Sequence, residues 1–237
     1  MTRRRWIAEE FSASQAAITG EHADHLVRVL RARVGQEFDI AAGGVVRRGR
    51  IATIQDGRVN FELGEEVRAA CVANVTLLLA IFKFDRMEWA IEKCTELGVS
   101  RIVPVIARRT DAHLASAAAK RSDRWRRLAL QAAEQSRRAA APEIAAPIKL
   151  VDLANATTVA SRIVLAESEE QFMLRDALAS RLDGDVALAI GPEGGWVEDE
   201  LQLFQQSGWL SASLGNTILR AETAAIAAVA IAFSELS

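Results

Sequence analysis

The sequence predicts an α/β protein in which a small β-barrel precedes a domain with a mainly parallel sheet. Three observations carry this. Residues 1–70 break into short alternating segments punctuated by glycine, the pattern of closely spaced strands. From Asn74 onward, continuous apolar runs alternate with helix-period segments, as parallel strands joined by helices require. The chain of 237 residues is 50% apolar and 25% charged, a balance that excludes disordered and disulfide-dense classes. The change of pattern puts a domain boundary near residues 70–74.

In the first part, a helix over residues 21–32 would place Leu26, Val29 and Leu30 on one face. Residues 34–40 alternate and Ala41-Ala42-Gly43-Gly44 turns. Residues 45–54 and 58–63 alternate again around the Asp56-Gly57 turn signal. In the second part, residues 75–82 form a continuous apolar run suited to a buried strand. Asp85 is expected to cap the next helix, with Glu88 completing a capping box. Met87, Ile91, Cys94 and Leu97 are its inner stripe, and Gly98 ends it. A strand follows over 99–107, then a helix over 122–141 stopped at Pro142. Short strands are expected at 162–166 and 185–190. A helix over 197–207 ends at Gly208, a last strand covers 211–214, and a C-terminal helix starts near Ala221.

The net charge of −2 is unevenly spread. Residues 71–150 carry 14 Lys and Arg against 8 Asp and Glu, whereas residues 151–237 carry 4 against 13. Arginine supplies 25 of the 29 cations. Guanidinium suits bidentate phosphate contacts, so this bias points either to nucleic acid or to a GC-rich genome. Two cysteines, Cys71 and Cys94, fit a reducing compartment. Three histidines without CxxC or HxxxH spacing make a metal site unexpected. Glu9 and Glu10 follow Arg3-Arg4-Arg5 and interrupt any apolar leader. The apolar stretch 224–233 is shorter than the roughly 20 residues a membrane span needs. A soluble, cytoplasmic protein with no membrane partner is the expectation.

In open α/β sheets ligands bind at the carboxyl ends of strands, and three such ends carry unusual residues. They are Ala166-Glu167-Ser168-Glu169, Gly191-Pro192-Glu193-Gly194-Gly195, and the segment from Leu214 to Thr223. The glycine loop is neither a Walker A loop nor GxGxxG, so neither a nucleoside triphosphate nor a dinucleotide is implied. Such a turn serves structure or lets backbone approach a ligand. Two of them, expected to end adjacent strands, favour a ligand. Arg220 opens the last helix, where the dipole already supplies positive character. It pairs with Glu222 or meets an anion such as a phosphate. Arg124, Arg127 and Gln131 share one helix face, continued by Gln135 and Arg138. That face is solvated or holds phosphate. His22 and His25 read as surface residues rather than ligands.

Several blocks occur in a familiar order: residues 83–87, 93–99, Glu134-Gln135-Ser136-Arg137-Arg138 with Pro142, residues 191–195, and Leu219-Arg220-Ala221-Glu222-Thr223-Ala224. With His25-Leu26, Val29-Leu30-Arg31 and Gly35 before them, they resemble the ribosomal RNA small subunit methyltransferase E family, of the SPOUT class. The resemblance spans nearly the whole chain. It implies a PUA-like RNA-binding β-barrel over residues 1–72 and a trefoil-knotted SPOUT methyltransferase domain over 73–237, acting as a homodimer. It implies S-adenosyl-L-methionine as methyl donor and N3 of a uridine in 16S rRNA of the small ribosomal subunit as acceptor.

Carried onto this sequence, cofactor binding falls on Leu165, Glu167, Gly191, Glu193, Gly195, Leu214, Gly215, Ile218 and Leu219. Arg220 would stabilise the uridine anion or position a phosphate, with Glu222 orienting it, and the proton would pass to Glu193, Glu222 or water. Arg3, Arg4, Arg5, Arg31, Arg124, Arg127 and Arg138 are the candidates for contact with RNA. Trp196 stands where a smaller aromatic is common and Cys94 where alanine is usual. The rival readings are a SPOUT ribose 2′-O-methyltransferase and a non-catalytic ribosome assembly factor. The intact glycine loops and the intact 219–223 segment argue against the second.

Overall fold

Trp6, Ile18, Leu26, Ile40, Ile51 and Phe61 are the centre of one apolar core, and a second, larger core begins at Val75. The computed structural model describes residues 5–55, 57–67, 74–153, 159–179 and 184–236. It divides into one unit of Met1–Cys71 with Ala133–Ala141, and another of Val72–Ala132 with Pro142–Ser237.

The first unit contains β1 (Arg5–Ile7), β2 (Glu10–Phe11), β3 (Gln15–Thr19), α1 (Gly20–Asp24), a π-helical turn (His25–Val29), β4 (Glu37–Ala42), β5 (Val45–Gln55) and β6 (Arg58–Val67). They form a six-stranded sheet in the order β1-β4-β5-β6-β3-β2, parallel only between β1 and β4. Among the described residues the path of paired strands ends at β1 and β2, a mixed sheet. Two register shifts bend β5, and Gly49 sits there because a Cβ would overlap Ile40.

The helix expected over 21–32 is corrected by the structure. Helix α1 gives way to a π turn in which the Leu30 N–H donates to the His25 carbonyl (3.0 Å). The extra residue in that turn moves side chains off the α-helical face. Leu26 stays buried but Val29 is 64% exposed.

The second unit contains β7 (Val75–Ala80), α2 (Phe84–Leu97), β8 (Arg101–Ile106), α3 (Ala112–Gln135, whose last residues belong to the first unit), β9 (Glu143–Ile144), β10 (Ile148–Lys149), α4 (Leu150–Leu153), β11 (Ser161–Leu165), α5 (Leu174–Ala179), β12 (Val186–Ile190), α6 (Glu198–Gln206), β13 (Leu210–Ala212) and α7 (Ala221–Leu236). The sheet order is β10-β8-β7-β12-β11-β13, with β9 beside β8, and every pairing is parallel. Alternate residues of β7 serve opposite faces, as the two-residue strand period requires. Leu77 and Leu79 pack with Met87, Ile91, Trp125 and Val229, whereas Leu78 and Ala80 pack with Trp196, Phe204 and Trp209. Helices cover both faces, which is why the strands read as unbroken apolar runs.

Two helix expectations change here. Lys83, not Asp85, is the N-cap of α2, without a side-chain cap. Glu88 instead accepts from Arg124 (2.7 and 2.8 Å), so no capping box forms. The buried stripe is Met87, Ala90, Ile91, Cys94 and Thr95, and Leu97 is 37% exposed. Helix α3 starts ten residues before the expected 122. Asp111 caps it by accepting from the His113 and Leu114 N–H groups (2.7 and 3.3 Å), and the alanine-rich segment after it extends the helix. It ends at Gln135, and Arg137, at φ +60°, turns the chain before Pro142.

Candidate active site

Strand β11 lies between β12 and β13, so the two glycine-bearing loops flank it rather than end adjacent strands as expected. The Glu167 segment rises between them. Leu165, Glu167, Gly191, Glu193, Gly195, Leu214, Gly215 and Leu219 line one cleft, together with Ile190, Pro192, Trp196, Ala212, Ser213 and Thr217. Ile218 lies outside that lining, with its side chain 84% exposed.

Local geometry explains the glycines. Gly195 has φ +70° and its N–H donates to the Pro192 carbonyl (2.8 Å), closing a turn that L side chains strain. At Gly191 a Cβ would come within 3.3 Å of Trp196 Nε1. That indole donates to the Leu165 carbonyl (3.2 Å) and its ring meets Phe204, which in turn meets Trp209. The large aromatic therefore ties the end of β11 to the base of α6.

The loop after β8 completes the rim. Arg109 donates to the Gly194 carbonyl. Buried Glu200 accepts from the Arg108 N–H (2.8 Å) and the Val197 N–H (3.0 Å). Sequence reading missed Arg109 and Glu200, because nothing local signals a bond to the other side of the sheet.

The cleft lining contains two carboxylates, Glu167 and Glu193, and no Lys or Arg. Apolar Leu165, Ile190, Ala212, Leu214 and Leu219 supply the rest. Such a lining suits a ligand with an apolar portion together with hydroxyl donors or a positive charge, and disfavours a phosphate ester.

Beside the cleft, Glu222 is 5% exposed in the first turn of α7. The alternative, an Arg220–Glu222 pair, does not form among the described residues: Arg220 precedes α7, which begins at Ala221, and Glu222 turns to Arg86. Glu222 lies 3.8 Å from the Nε of Arg86, and its Oε2 has no hydrogen-bond partner. The Arg86 Nη1 also donates to Glu193 (3.3 Å). Arg220 is exposed and forms no ion pair among the described residues. In the sequence, Arg86 was visible only within the 83–87 block that carries the family resemblance, without a role.

The arginines singled out for RNA fare differently. Arg3 and Arg4 lie outside the described residues. Arg5 donates to the Arg137 carbonyl, and Arg124 is held by Glu88; both heads are engaged within the chain. Arg138 is half-buried, and burial pulls its guanidinium down to about 10. Arg31 and Arg127 are exposed. His22 is not a plain surface residue. It stands between Glu9 (3.2 Å) and Glu134 (3.4 Å), against Trp6. Among the described residues no group of three His, Cys, Asp or Glu side chains could hold a metal ion, and no helix is long and apolar enough to cross a membrane.

Residues 70–233 match the RNA methyltransferase domain family. A ribosomal RNA small subunit methyltransferase E from Synechocystis sp. is 30% identical over 226 residues, covering 94% of this chain and 74% of that protein. One from Rickettsia conorii is 32% identical over 222 residues, covering 92% and 88%. The solved structure of a ribosomal RNA small subunit methyltransferase E from Neisseria gonorrhoeae, bound to S-adenosyl methionine, matches with a TM-score of 0.82 at 28% identity, over 97% of this chain and 96% of that one. On this likeness over nearly its full length, the chain belongs to the ribosomal RNA small subunit methyltransferase E family.

Proposed function

We propose that this protein transfers a methyl group from S-adenosyl-L-methionine to N3 of a uridine in 16S rRNA of the small ribosomal subunit. One observation carries the reading: three strand-end loops meet in a cleft with two carboxylates and no basic side chain, in a chain similar to a protein with that cofactor bound. Leu165, Leu214 and Leu219 would hold the apolar base. Glu167 would accept from hydroxyls, and the backbones of Gly191, Gly195 and Gly215 allow close approach. Glu193 faces the cleft as a carboxylate suited to a cationic ligand. When bound, S-adenosyl-L-methionine supplies an electrophilic methyl group.

The acceptor nitrogen carries a weakly acidic proton, so the site must stabilise the anion that remains. Arg220, exposed and without an ion pair beside the cleft, is the residue we assign to that anion or to a neighbouring phosphate. Glu222 pairs with Arg86 rather than with Arg220. The proton passes to Glu193, Glu222 or water. N3 lies on the pairing edge, so the base must be unpaired or flipped out. Residues 1–72 act in this reading as a PUA-like RNA-binding domain and 73–237 as a trefoil-knotted SPOUT domain. The active form is a homodimer working in the cytoplasm. Arg31 and Arg127 are the exposed arginines best suited to RNA phosphate.

Incorporation of labelled methyl from S-adenosyl-L-methionine tests this on unmodified small subunits, naked 16S rRNA and large subunits. Label confined to small-subunit rRNA is the expected result. Protein that binds the cofactor yet labels none of the three would overturn the reading.

A further inference from the structure

We infer that Arg86 is a positioning residue for the methyl-transfer site, clasping the loop of residues 191–195 to the start of α7 through Glu193 and Glu222. The inference rests on the proposed function for its readout, but its geometry stands apart from it. Arg86 lies in the first turn of α2, where the helix dipole disfavours a cation. Two carboxylates from elsewhere in the fold compensate. One is Glu193, on the rim loop (3.3 Å); the other is Glu222, in the first turn of α7 (3.8 Å).

Glu222 is buried, and Arg86 is the one cation paired with it among the described residues. Its second oxygen accepts no hydrogen bond. A buried carboxylate that loses its partner is strongly destabilising, so Arg86 is fixed from that side. From there its guanidinium reaches the cleft carboxylate Glu193. Different nitrogens meet the two acids, Nε towards Glu222 and Nη1 towards Glu193. The planar fork of arginine spans two such partners, which the single ammonium of lysine does not. The clasp thereby sets where Glu193 and the glycine backbone stand relative to the cleft wall.

The test measures S-adenosyl-L-methionine binding and methyl-transfer kinetics in R86A and R86K, and urea unfolding of R86A, E222Q and the double variant. R86A is expected to raise KM and Kd for the cofactor about tenfold while kcat changes less than about threefold, the signature of lost binding rather than lost chemistry. R86K is expected to recover part of that loss. In unfolding, E222Q is expected to destabilise R86A far less than it destabilises the parent. Unchanged cofactor affinity in R86A, or additive unfolding effects, would overturn the clasp. A parent protein that binds no S-adenosyl-L-methionine would sink the proposed function instead, leaving the unfolding cycle to decide the clasp.

Discussion

Glu200 offers a test of how the rim of the cleft is held. Its two oxygens accept from the N–H groups of Arg108 and Val197 (2.8 and 3.0 Å), and the side chain is buried. E200A removes both acceptors at once. Each stranded backbone donor costs about 1–3 kcal/mol. Both bonds are only partly buried, so water recovers some of this, and the expected loss is about 2–4 kcal/mol. E200Q keeps one carbonyl acceptor but turns an amide donor towards the other N–H, and is expected to lose about 1–2 kcal/mol. Urea unfolding followed by tryptophan fluorescence reads both, since Trp196 and Trp209 lie in the core beside α6. The two loops so tied carry Arg109 and Gly194, so a weaker hold on S-adenosyl-L-methionine is expected in the same order. An E200A protein within about 0.5 kcal/mol of the parent, the range of an ordinary surface substitution, would refute the assigned role.

Three further outcomes are expected. Gly98 has φ +121° and a Cβ there would meet the Phe233 ring at 2.9 Å; G98A should therefore cost about 2–4 kcal/mol from backbone strain and overpacking, read as a fall in the urea midpoint. The hydrogen bond that the His22 imidazolium donates to the Glu9 carboxylate raises the pKa of His22 above its ordinary value. That contribution to stability is full below about pH 6.5 and is lost as pH rises through the higher folded value. The unfolding free energy of the parent should thus fall as pH rises above about 6.5, and H22N should flatten that slope; a parent flatter than H22N contradicts it. Charge reversal at Arg127 should weaken binding to 16S rRNA in low salt and reduce its salt dependence, whereas unchanged filter-binding curves would remove that residue from the interface.

The parallel sheet was legible because burial on both faces leaves a simple trace. Residues 77–82 and 186–190 are apolar without a break, and Val75–Ala80 and Val186–Ile190 pair in register through five residues. Helix ends marked by glycine, at Gly98 and Gly208, were legible for the same local reason. The cleft was legible because glycines and stray carboxylates at strand ends are costly unless used. What stayed hidden depends on distance along the chain. Arg86 meets partners 107 and 136 positions away, and Glu200 meets Arg108 across 92. No periodicity reports such pairs. The π turn at His25–Val29 escaped because its apolar spacing begins like that of an α-helix. Strands β1 to β3 escaped because two of them are three residues or shorter, too short for alternation to register.

The chemistry at the acceptor atom is the central claim, and mass spectrometry of nucleosides tests it most directly. Small subunits lacking the modification would be incubated with the protein and labelled S-adenosyl-L-methionine, and their 16S rRNA digested to nucleosides. The expected product is N3-methyluridine as the one labelled nucleoside. Label on a ribose 2′-hydroxyl would contradict the uridine chemistry assigned to Arg220 while leaving the cofactor cleft in place.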